Sequence, residues 1–364
     1  MVVVNHEVET ESAPTYQSKL LKRYCTLKSK LGRGSQGEVW LAKSRSPLRE
    51  PFAVKMLPAS REAWGEIAAY QAIGSHPQHA NLLQAKLLIA EDKCINLLLE
   101  ACRSDLLDYV LAHPAGLPEH QCLRWSRQLC DAVAHLHAIG VVHLDIKLEN
   151  ILLQGAEGAD VVKLGDFGLS SCDSGQQLAR MCGSGIYRAP EVSLVEELGP
   201  YEGRPADVWS IGVCIFVMAR GCFPFAAHAP TRLLKEQRGL AGEVTGQSQS
   251  TSRAQAVSTQ VGVLRKEPVL RSGSQRAHLS RALLDLLDDI FVVEPQDRPT
   301  SAALLGYLWL CGDDTKCAMK AGPPHPEEEG YSTPSSPQQE VLCDEPIFID
   351  ARRGRKRRRD RAEL

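Results

Sequence analysis

The chain has 364 residues, which is enough for one large two-lobed domain with tails or for two moderate domains. Its apolar content of 43% and charged content of 24% are ordinary for a soluble globular protein. A net charge of −2 excludes a molecule that binds nucleic acid over its whole surface by charge attraction, so we expect no nucleic-acid partner.

Three observations bear on location. Residues 1–14 have no basic start and no long apolar stretch, so they do not predict a secretory signal. The longest apolar run, at 211–219, is too short to span a bilayer and predicts a buried helix. The 12 cysteines lack paired spacing, which favours free thiols. We expect an intracellular protein, cytoplasmic or nuclear or both, with no membrane span.

The first part of the chain predicts a small, strand-rich lobe. Residues 1–23 are polar and form a flexible N-terminal segment. Residues 62–74 have apolar side chains at helical spacing and predict one main helix. Runs of β-type residues lie on both sides of that helix, namely YCTLKSKL, EVWLAKS, PFAVKML and INLLLE.

The pattern becomes helical after Leu106. Residues 117–140, 206–221 and 278–291 predict helices. Residues 239–275 are rich in Gly, Ser, Gln and Thr and predict a low-order insertion. Residues 311–364 form a Pro/Glu/Ser-rich tail that ends in a basic run at 352–361, with eight basic groups and one acid.

A glycine-rich stretch near the start is a candidate phosphate-binding loop. Gly32, Gly34 and Gly37 follow the G-x-G-x-x-G spacing, and glycine lets backbone amides approach a phosphate closely. A turn-rich hairpin without a ligand is the alternative. A dinucleotide-binding loop should open a helix, whereas EVWLAKS alternates as a strand. We therefore expect a flap between two strands that covers phosphates.

Lys55 ends the strand-like run FAVK. A lysine at a strand end is most often simply solvated. If it is buried, it needs a carboxylate partner to stay charged, and it can then bind phosphate oxygens. Glu66 on the following helix is the predicted partner, and Glu62, one turn earlier, is the rival.

Two further stretches carry acids and an amide. HLDIKLEN contains Asp145, Lys147 and Asn150, and a later strand runs into Asp166. Carboxylate and amide oxygens suit Mg²⁺, and a second carboxylate can accept the proton of a hydroxyl nucleophile. Each residue alone is more simply explained as a helix cap or turn residue. Together, in this order, they predict phosphoryl-transfer chemistry.

These motifs as a set resemble the eukaryotic protein kinase family, of the serine/threonine type, over about residues 24–310. The resemblance implies an α+β, bilobal fold with a small β-rich N-lobe containing one main helix and a larger, mainly helical C-lobe. It also implies ATP and Mg²⁺ as cofactors. Glu191, in the motif Ala189-Pro190-Glu191, and Arg298 match two residues that form an ion pair in this family. Asp207 matches a residue that braces the catalytic loop, which here is HLDIKLEN, residues 143–150.

The resemblance also assigns site residues. Asp145 and Lys147 are the implied catalytic residues, and Asn150 and Asp166 the implied metal ligands. Leu99 takes the gatekeeper position before the hinge. The implied nucleotide-binding residues are Leu31, Gly32, Arg33, Gly34, Ser35, Gln36, Gly37, Glu38, Val39, Ala53, Lys55, Glu66, Glu100 and Leu152.

The implied activity is transfer of the ATP γ-phosphoryl group to a Ser or Thr hydroxyl of a protein substrate. Leu144 stands where many relatives have an arginine that binds a phosphate on the activation loop. We therefore predict activity without phosphorylation of residues 169–188, where Ser170, Ser171, Ser174 and Ser184 are available. A pseudokinase-like scaffold, which binds nucleotide and partners without transfer, is the alternative.

Weaker signals concern partners. Glu149 and Asp105 match acids that contact substrate arginines in other kinases, which predicts a mild preference for basic substrates; solvated surface acids are the alternative. The basic run 352–361 predicts recognition by a nuclear import receptor. A patch for anionic surfaces or a merely solvated tail would have the same composition.

Overall fold

The computed structural model describes residues 19–34, 37–45, 51–156, 158–172, 175, 177–225, 231, 278–311 and 347–350. The predicted insertion at 239–275 lies outside these residues. So do residues 1–18 of the N-terminal segment, all of the tail after residue 311 except 347–350, and the basic run 352–361. Those predictions stay predictions.

The N-terminal lobe is built on one sheet. Its six described strands are ordered β1-β2-β3-β5-β4-β9, and all neighbours are antiparallel except β4 and β9, which are parallel. The strands are β1 Cys25–Gly34, β2 Gly37–Ser44, β3 Phe52–Pro58, β4 Ala85–Ala90, β5 Cys94–Glu100 and β9 Ile347–Asp350, and a short helix α1, Leu21–Tyr24, precedes them.

Helix α2, Arg61–Gly74, is the main helix of this lobe. The Ser60 hydroxyl caps it by accepting a hydrogen bond from the Ala63 amide at 3.3 Å. Its buried side chains, including Ile67, Tyr70 and Ile73, belong to the same hydrophobic cluster as residues of β4 and β5. The predicted helix therefore covers one face of the sheet, because its apolar residues recur at helical spacing.

The C-terminal lobe is mainly helical. Its long helices α4 and α7 are packed together, and Trp125 and Trp209 are fully buried within them. A second, small sheet has the order β6-β7-β8, with antiparallel neighbours. The elements are β6 Ser104–Asp105, α3 Leu106–Leu111, α4 Glu119–Ala138, β7 Ile151–Gln154, β8 Val161–Leu164, α5 Pro190–Ser193, α6 Val195–Leu198, α7 Gly203–Arg220, α8 Arg281–Ile290, α9 Ser301–Leu304 and α10 Leu308–Cys311, with 3-10 turns at Leu148–Asn150 and Pro295–Asp297.

This is the α+β, two-lobed arrangement predicted from the sequence, with two strands in the N-terminal sheet that were not predicted. β4 has the sequence AKLLIA, whose apolar run lacks a period of two. β9 lies in the tail, far from its partner in sequence. Within the described part of the chain, no helix is both long and apolar enough to cross a membrane.

Candidate active site

The glycine-rich stretch forms a hairpin between β1 and β2, as predicted. Gly32 pairs with Val39 and Gly34 pairs with Gly37, so the turn joins two antiparallel strands. Gly37 has a φ of +157°, and a Cβ atom there would collide with the Met56 carbonyl oxygen on β3. Only glycine fits this approach of backbone to backbone. Ser35 and Gln36, at the tip, lie outside the described residues.

Apolar residues predicted to contact the nucleotide come together behind the hairpin. Val39 and Ala53 from the N-terminal lobe and Leu152 from β7 are buried in one cluster, and Leu99 belongs to it as well. Leu31 is partly buried against this cluster. This cluster runs through both lobes, and within it Ala53 and Leu99 are paired neighbours on β3 and β5. Apolar side chains of this kind suit contact with a flat aromatic base. Arg33 is exposed.

Two of the predicted nucleotide-binding residues have side chains committed to other partners. The Glu38 carboxylate lies 2.9 Å from the Lys30 ammonium. The Glu100 carboxylate lies 2.9 Å from the Lys163 ammonium and accepts a hydrogen bond from the Gln154 amide at 2.9 Å. Glu38 and Glu100 are therefore available to a ligand through their backbone rather than through their carboxylates.

Lys55 is held by two carboxylates. Its ammonium lies 2.7 and 2.8 Å from the two oxygens of Glu66 and 2.8 Å from an oxygen of Asp166. Burial lowers the pKa of Lys55, but the charges of Glu66 and Asp166 outweigh it and hold that pKa above its usual value. The rival Glu62 is exposed in the first turn of α2. Glu66 is therefore the partner of Lys55, as predicted.

Asp166 and Asn150 supply oxygen atoms on adjacent loops. Burial raises the pKa of Asp166, but the Lys55 ammonium outweighs it and holds that pKa well below its usual value, so the carboxylate is ionised. The Gly165 amide donates to the Asn150 carbonyl at 3.0 Å, which joins the two loops. The Asn150 amide oxygen and the Asp166 carboxylate are hard ligands that fit Mg²⁺.

An aromatic stack fixes the loop after Asp166. Phe167 is fully buried, and its ring meets Tyr70 of α2 edge-on, with ring centroids 5.0 Å apart. The ring of His143 lies 5.2 Å away on the catalytic loop. Tyr70 was not predicted as a site residue. It stands four residues after Glu66, on the same helix face, and that spacing could have identified it.

Asp145 is surrounded by hydrogen-bond donors. One carboxylate oxygen accepts from both the amide and the hydroxyl of Ser184, each at 3.0 Å. The other accepts from the Asn150 amide at 3.1 Å and lies 2.7 Å from the Lys147 ammonium. Lys147 also donates to the Ser184 hydroxyl at 2.9 Å. The carboxylate is thus held in one orientation, as a general base must be.

Asp207 of α7 braces the catalytic loop from below, as the resemblance implied. Its carboxylate accepts from the backbone amides of His143 and Leu144, both at 2.8 Å, and from the His137 ring at 2.9 Å. Leu144 has a φ of +65°, an unfavourable conformation for a leucine. The two amide bonds to one buried carboxylate maintain this conformation.

The Leu144 side chain fills an apolar pocket beneath the activation loop. A Cβ atom on Gly203 would lie 2.7 Å from Val142 Cγ1, 2.9 Å from Leu144 Cδ2 and 3.1 Å from Leu178 Cδ1. Leu178 belongs to the activation loop, and its backbone exchanges two hydrogen bonds with Tyr201, at 2.8 and 3.0 Å. Leu144 and Leu178 therefore make apolar contacts in this region. An arginine in place of Leu144 would need a phosphate as its partner.

Glu191 and Arg298 form the buried ion pair that the sequence predicted. The two guanidinium nitrogens lie 2.7 and 2.8 Å from the two carboxylate oxygens, a bidentate geometry. The guanidinium also lies 4.9 Å from the ring centre of Trp209. This pair connects the end of the activation loop to the helical core.

The interpretation of Asp105 as a contact for substrate arginines is wrong. Asp105 is fully buried, and its carboxylate caps helix α3 by accepting from the Asp108 amide at 2.8 Å. A side chain with no exposed surface cannot bind a substrate residue. An aspartate directly before an apolar run, as Asp105 is before Leu106, is a signal for the start of a helix, and this signal could have identified the cap. Glu149 is partly exposed, and its role stays a prediction.

Comparison with known proteins agrees with this geometry. A family model for the protein kinase domain matches residues 25–310. Testis-specific serine/threonine-protein kinase 5 of Mus musculus is 29% identical over 264 residues, which cover 70% of this chain and 61% of that protein. Serine/threonine-protein kinase GIN4 of Saccharomyces cerevisiae is 33% identical over 231 residues, which cover 57% of this chain and 20% of that protein. A probable myosin light chain kinase of Dictyostelium discoideum is 34% identical over 224 residues, which cover 60% of this chain and 68% of that protein. The chain therefore belongs to the protein kinase family.

Proposed function

We propose that this chain is an active serine/threonine protein kinase that transfers the γ-phosphoryl group of ATP to a Ser or Thr hydroxyl of a protein substrate. One observation carries the proposal. Lys55 and Asp166 are 111 residues apart in the chain, yet their charged atoms lie 2.8 Å apart beside the glycine hairpin. A cation for phosphates and a carboxylate for Mg²⁺ are therefore positioned at one site.

Within this proposal, Asp145 acts on the acceptor hydroxyl. Its carboxylate orients the hydroxyl and accepts its proton as the oxygen attacks phosphorus. Four donors from Ser184, Asn150 and Lys147 fix the orientation of that carboxylate before a substrate arrives. Lys147 also brings a positive charge to the position where the transferring phosphoryl group would pass.

Lys55 and the oxygen ligands serve the phosphate side. Lys55 binds phosphate oxygens, and Glu66 keeps it charged and pointed toward the site. Asn150 and Asp166 would hold Mg²⁺, which when bound neutralises phosphate charge and aligns the phosphates. The glycine hairpin would cover the phosphates with backbone amides. Each residue positions a group or stabilises charge, and none forms a covalent bond to the substrate.

Transfer from radiolabelled ATP to a mixed basic protein substrate tests the proposal. Asp145→Asn should reduce transfer to Ser and Thr by about 100-fold to 10,000-fold while nucleotide binding is retained. Asp285→Asn is the matched control, because Asp285 is an exposed aspartate on α8. Absence of transfer by the unmodified chain, with nucleotide binding intact, would favour the scaffold alternative.

The proposal includes activity without phosphorylation of the activation loop. Two features support it. Leu178 packs into the apolar pocket with Leu144, and backbone bonds at Tyr201 hold that part of the loop. Ser171 exchanges two backbone hydrogen bonds of 2.9 Å with Val142, which holds the start of the loop. Both attachments form without a phosphate.

Serine substitutions test this part separately. Ser170→Ala and Ser171→Ala, combined with Ser174→Ala, should leave the transfer rate within about twofold of the original chain. Ser184→Ala should lower the rate, because Ser184 donates to Asp145 and not because it accepts a phosphate. Loss of activity in the triple variant, with restoration by Asp at one of the three positions, would contradict the proposal.

The proposal also includes a preference for basic substrates. A mild preference for basic residues before the acceptor now depends on Glu149 alone, since Asp105 is buried. A library of peptides with single arginine substitutions would test it, with Glu149→Gln as the comparison.

The basic run 352–361 would bind a nuclear import receptor, and a fluorescent full-length fusion with those residues changed to Gln should lose nuclear accumulation.

A further inference from the structure

The outer edge of the N-terminal sheet is closed by a strand from the far end of the chain. β9 pairs in parallel with β4, from Leu87 opposite Ile347 to Ala90 opposite Asp350. Without β9, β4 would be the last strand on that side, because its other neighbour is β5. A last strand presents unpaired amide and carbonyl groups, which form a template for an added strand.

β4 has the composition of a strand that needs a cover. Leu87, Leu88, Ile89 and Ala90 are each less than 5% exposed. Lys86 is the one charged residue within β4. Exposed edges in soluble proteins usually carry several charges, a proline or a bulge that prevents pairing with another chain. β4 has one register irregularity, between Ala85 and Leu87, but the stretch from Leu87 to Ala90 has no charge, proline or bulge, so a covering strand is expected there.

The tail segment has the composition of the matching strand. Ile347, Phe348 and Ile349 are β-branched or aromatic, which are the residue types that strands favour. Pro346 precedes the first paired residue, where its missing amide costs the ladder no hydrogen bond. The preceding residues 312–346 are rich in Pro, Glu and Ser, which strands disfavour.

The connection is long enough for docking within one molecule. About 35 residues, 312–346, link α10 to β9, and 35 residues without regular structure would span roughly 30–35 Å on average. A compact domain of this size is on the order of 50 Å across, so the segment can reach the sheet without being fully extended. Tethering then gives an effective concentration on the order of millimolar, so a weak four-residue pairing suffices.

Charged residues follow both strands at the same end of the sheet. Because β9 runs parallel to β4, its end at Asp350 lies beside Ala90, where β4 turns at Glu91 and Asp92. The basic run begins at Arg352, two residues after the strand ends. Lys93 lies in the same turn, so residues 91–93 carry a net charge of −1, which attracts a basic segment weakly.

We propose that the edge of β4 is a peptide-docking site whose resident occupant is the chain's own tail segment Ile347–Asp350, bound within the same molecule. The site takes a short, extended, apolar peptide followed by basic residues. Backbone pairing supplies the attraction, and the apolar edge and the acidic turn supply the selectivity. This docking requires no phosphoryl transfer, so it can fail or hold independently of the proposed function.

Hydrogen exchange on the full-length chain tests the docking. Phe348→Pro combined with Ile349→Pro removes two amides and should speed amide exchange in residues 85–90 by about tenfold or more. Gln338→Pro combined with Gln339→Pro is the matched control, and it should leave that exchange unchanged. Phe348→Pro alone should act in the same direction with a smaller effect. Unchanged exchange of β4 in the double Phe348/Ile349 variant would overturn the proposal.

A peptide assay tests the site itself. A fluorescent peptide of residues 346–356, which includes the first basic residues, should bind the Phe348/Ile349 proline variant and bind the unmodified chain at least about tenfold more weakly, because the tail already occupies the edge. A peptide of the same residues in scrambled order should bind neither. Absence of binding to the proline variant would overturn the docking site. Dimers in sedimentation of the unmodified chain, lost in the proline variant, would overturn binding within one molecule in favour of exchange between two copies.

Discussion

Replacement of Glu66 by glutamine tests the central ion pair with nearly unchanged shape. Lys55 has three carboxylate oxygens at 2.7–2.8 Å, two of them from Glu66. At such distances each charge pair has a gross attraction of about 6 kcal/mol for an effective dielectric constant of 20. Glutamine removes that charge and turns an amide group toward the ammonium. The Asp166 carboxylate then remains as a charged partner of Lys55.

We expect two measurable losses in Glu66→Gln. The free energy of unfolding should fall by about 3 kcal/mol, the lower end for a broken buried pair, because Asp166 still compensates the charge. The transfer rate should fall by about 100-fold to 1,000-fold, because Lys55 is drawn to Asp166 and away from the phosphates. Initial rates at varied ATP concentration and urea unfolding measure the two effects.

Glu62→Gln is the matched control for this experiment. Glu62 lies on the same helix, one turn earlier, and its side chain is exposed. Its replacement should change the transfer rate by less than about twofold and the stability by less than about 0.5 kcal/mol. Equal losses in the two variants, or a Glu66→Gln variant with more than about a third of the original rate, would refute the role assigned to this pair.

Three further predictions concern stability, each measured by urea unfolding. Burial raises the pKa of Asp105 from 3.8 to about 6, so the folded state binds that proton more tightly than the unfolded state, and wild-type stability falls as the pH rises from about 4 to about 6. The free energy of unfolding of Asp105→Asn, relative to that of the wild type, should therefore rise by about 3 kcal/mol between pH 4 and pH 7. A difference that stays constant over this range would contradict the prediction. Arg298→Met should cost about 3–5 kcal/mol, because it leaves Glu191 buried without its cation; a cost below about 1 kcal/mol would contradict the pair's geometry. Leu144→Ala should cost about 2–5 kcal/mol while Leu144→Met costs less than about 1.5 kcal/mol, and equal small losses would show that the pocket is loosely packed.

The sequence was sufficient to propose the site residues, because their chemistry depends on residue type and order. Lys55, Asp145, Asn150 and Asp166 could be identified without coordinates. The choice between Glu62 and Glu66 was harder, since residues four apart share a helix face. Burial decides it, and burial depends on where α2 begins relative to the sheet.

The errors and omissions arise from tertiary structure. Asp105 was assigned by its match to acids of other kinases, but helix α3 begins directly after it and its carboxylate caps that helix. β9 could not be predicted, because its partner β4 precedes it by more than 250 residues. In addition, a run of four residues, three of them apolar, does not specify a strand by itself. The apolar role of Leu144 depends on Leu178 and Gly203, which only the fold brings together.

The triangle of Lys55, Glu66 and Asp166 also has a consequence for chemical probes. Electrophiles that acylate or sulfonylate lysine react with the neutral amine, and the two carboxylates keep Lys55 protonated. A lysine-directed covalent inhibitor should therefore label Lys55 slowly in the ligand-free protein, despite its position in the nucleotide site. A compound that displaces Asp166 from the ammonium should label it faster than one that only occupies the apolar space beside Ala53.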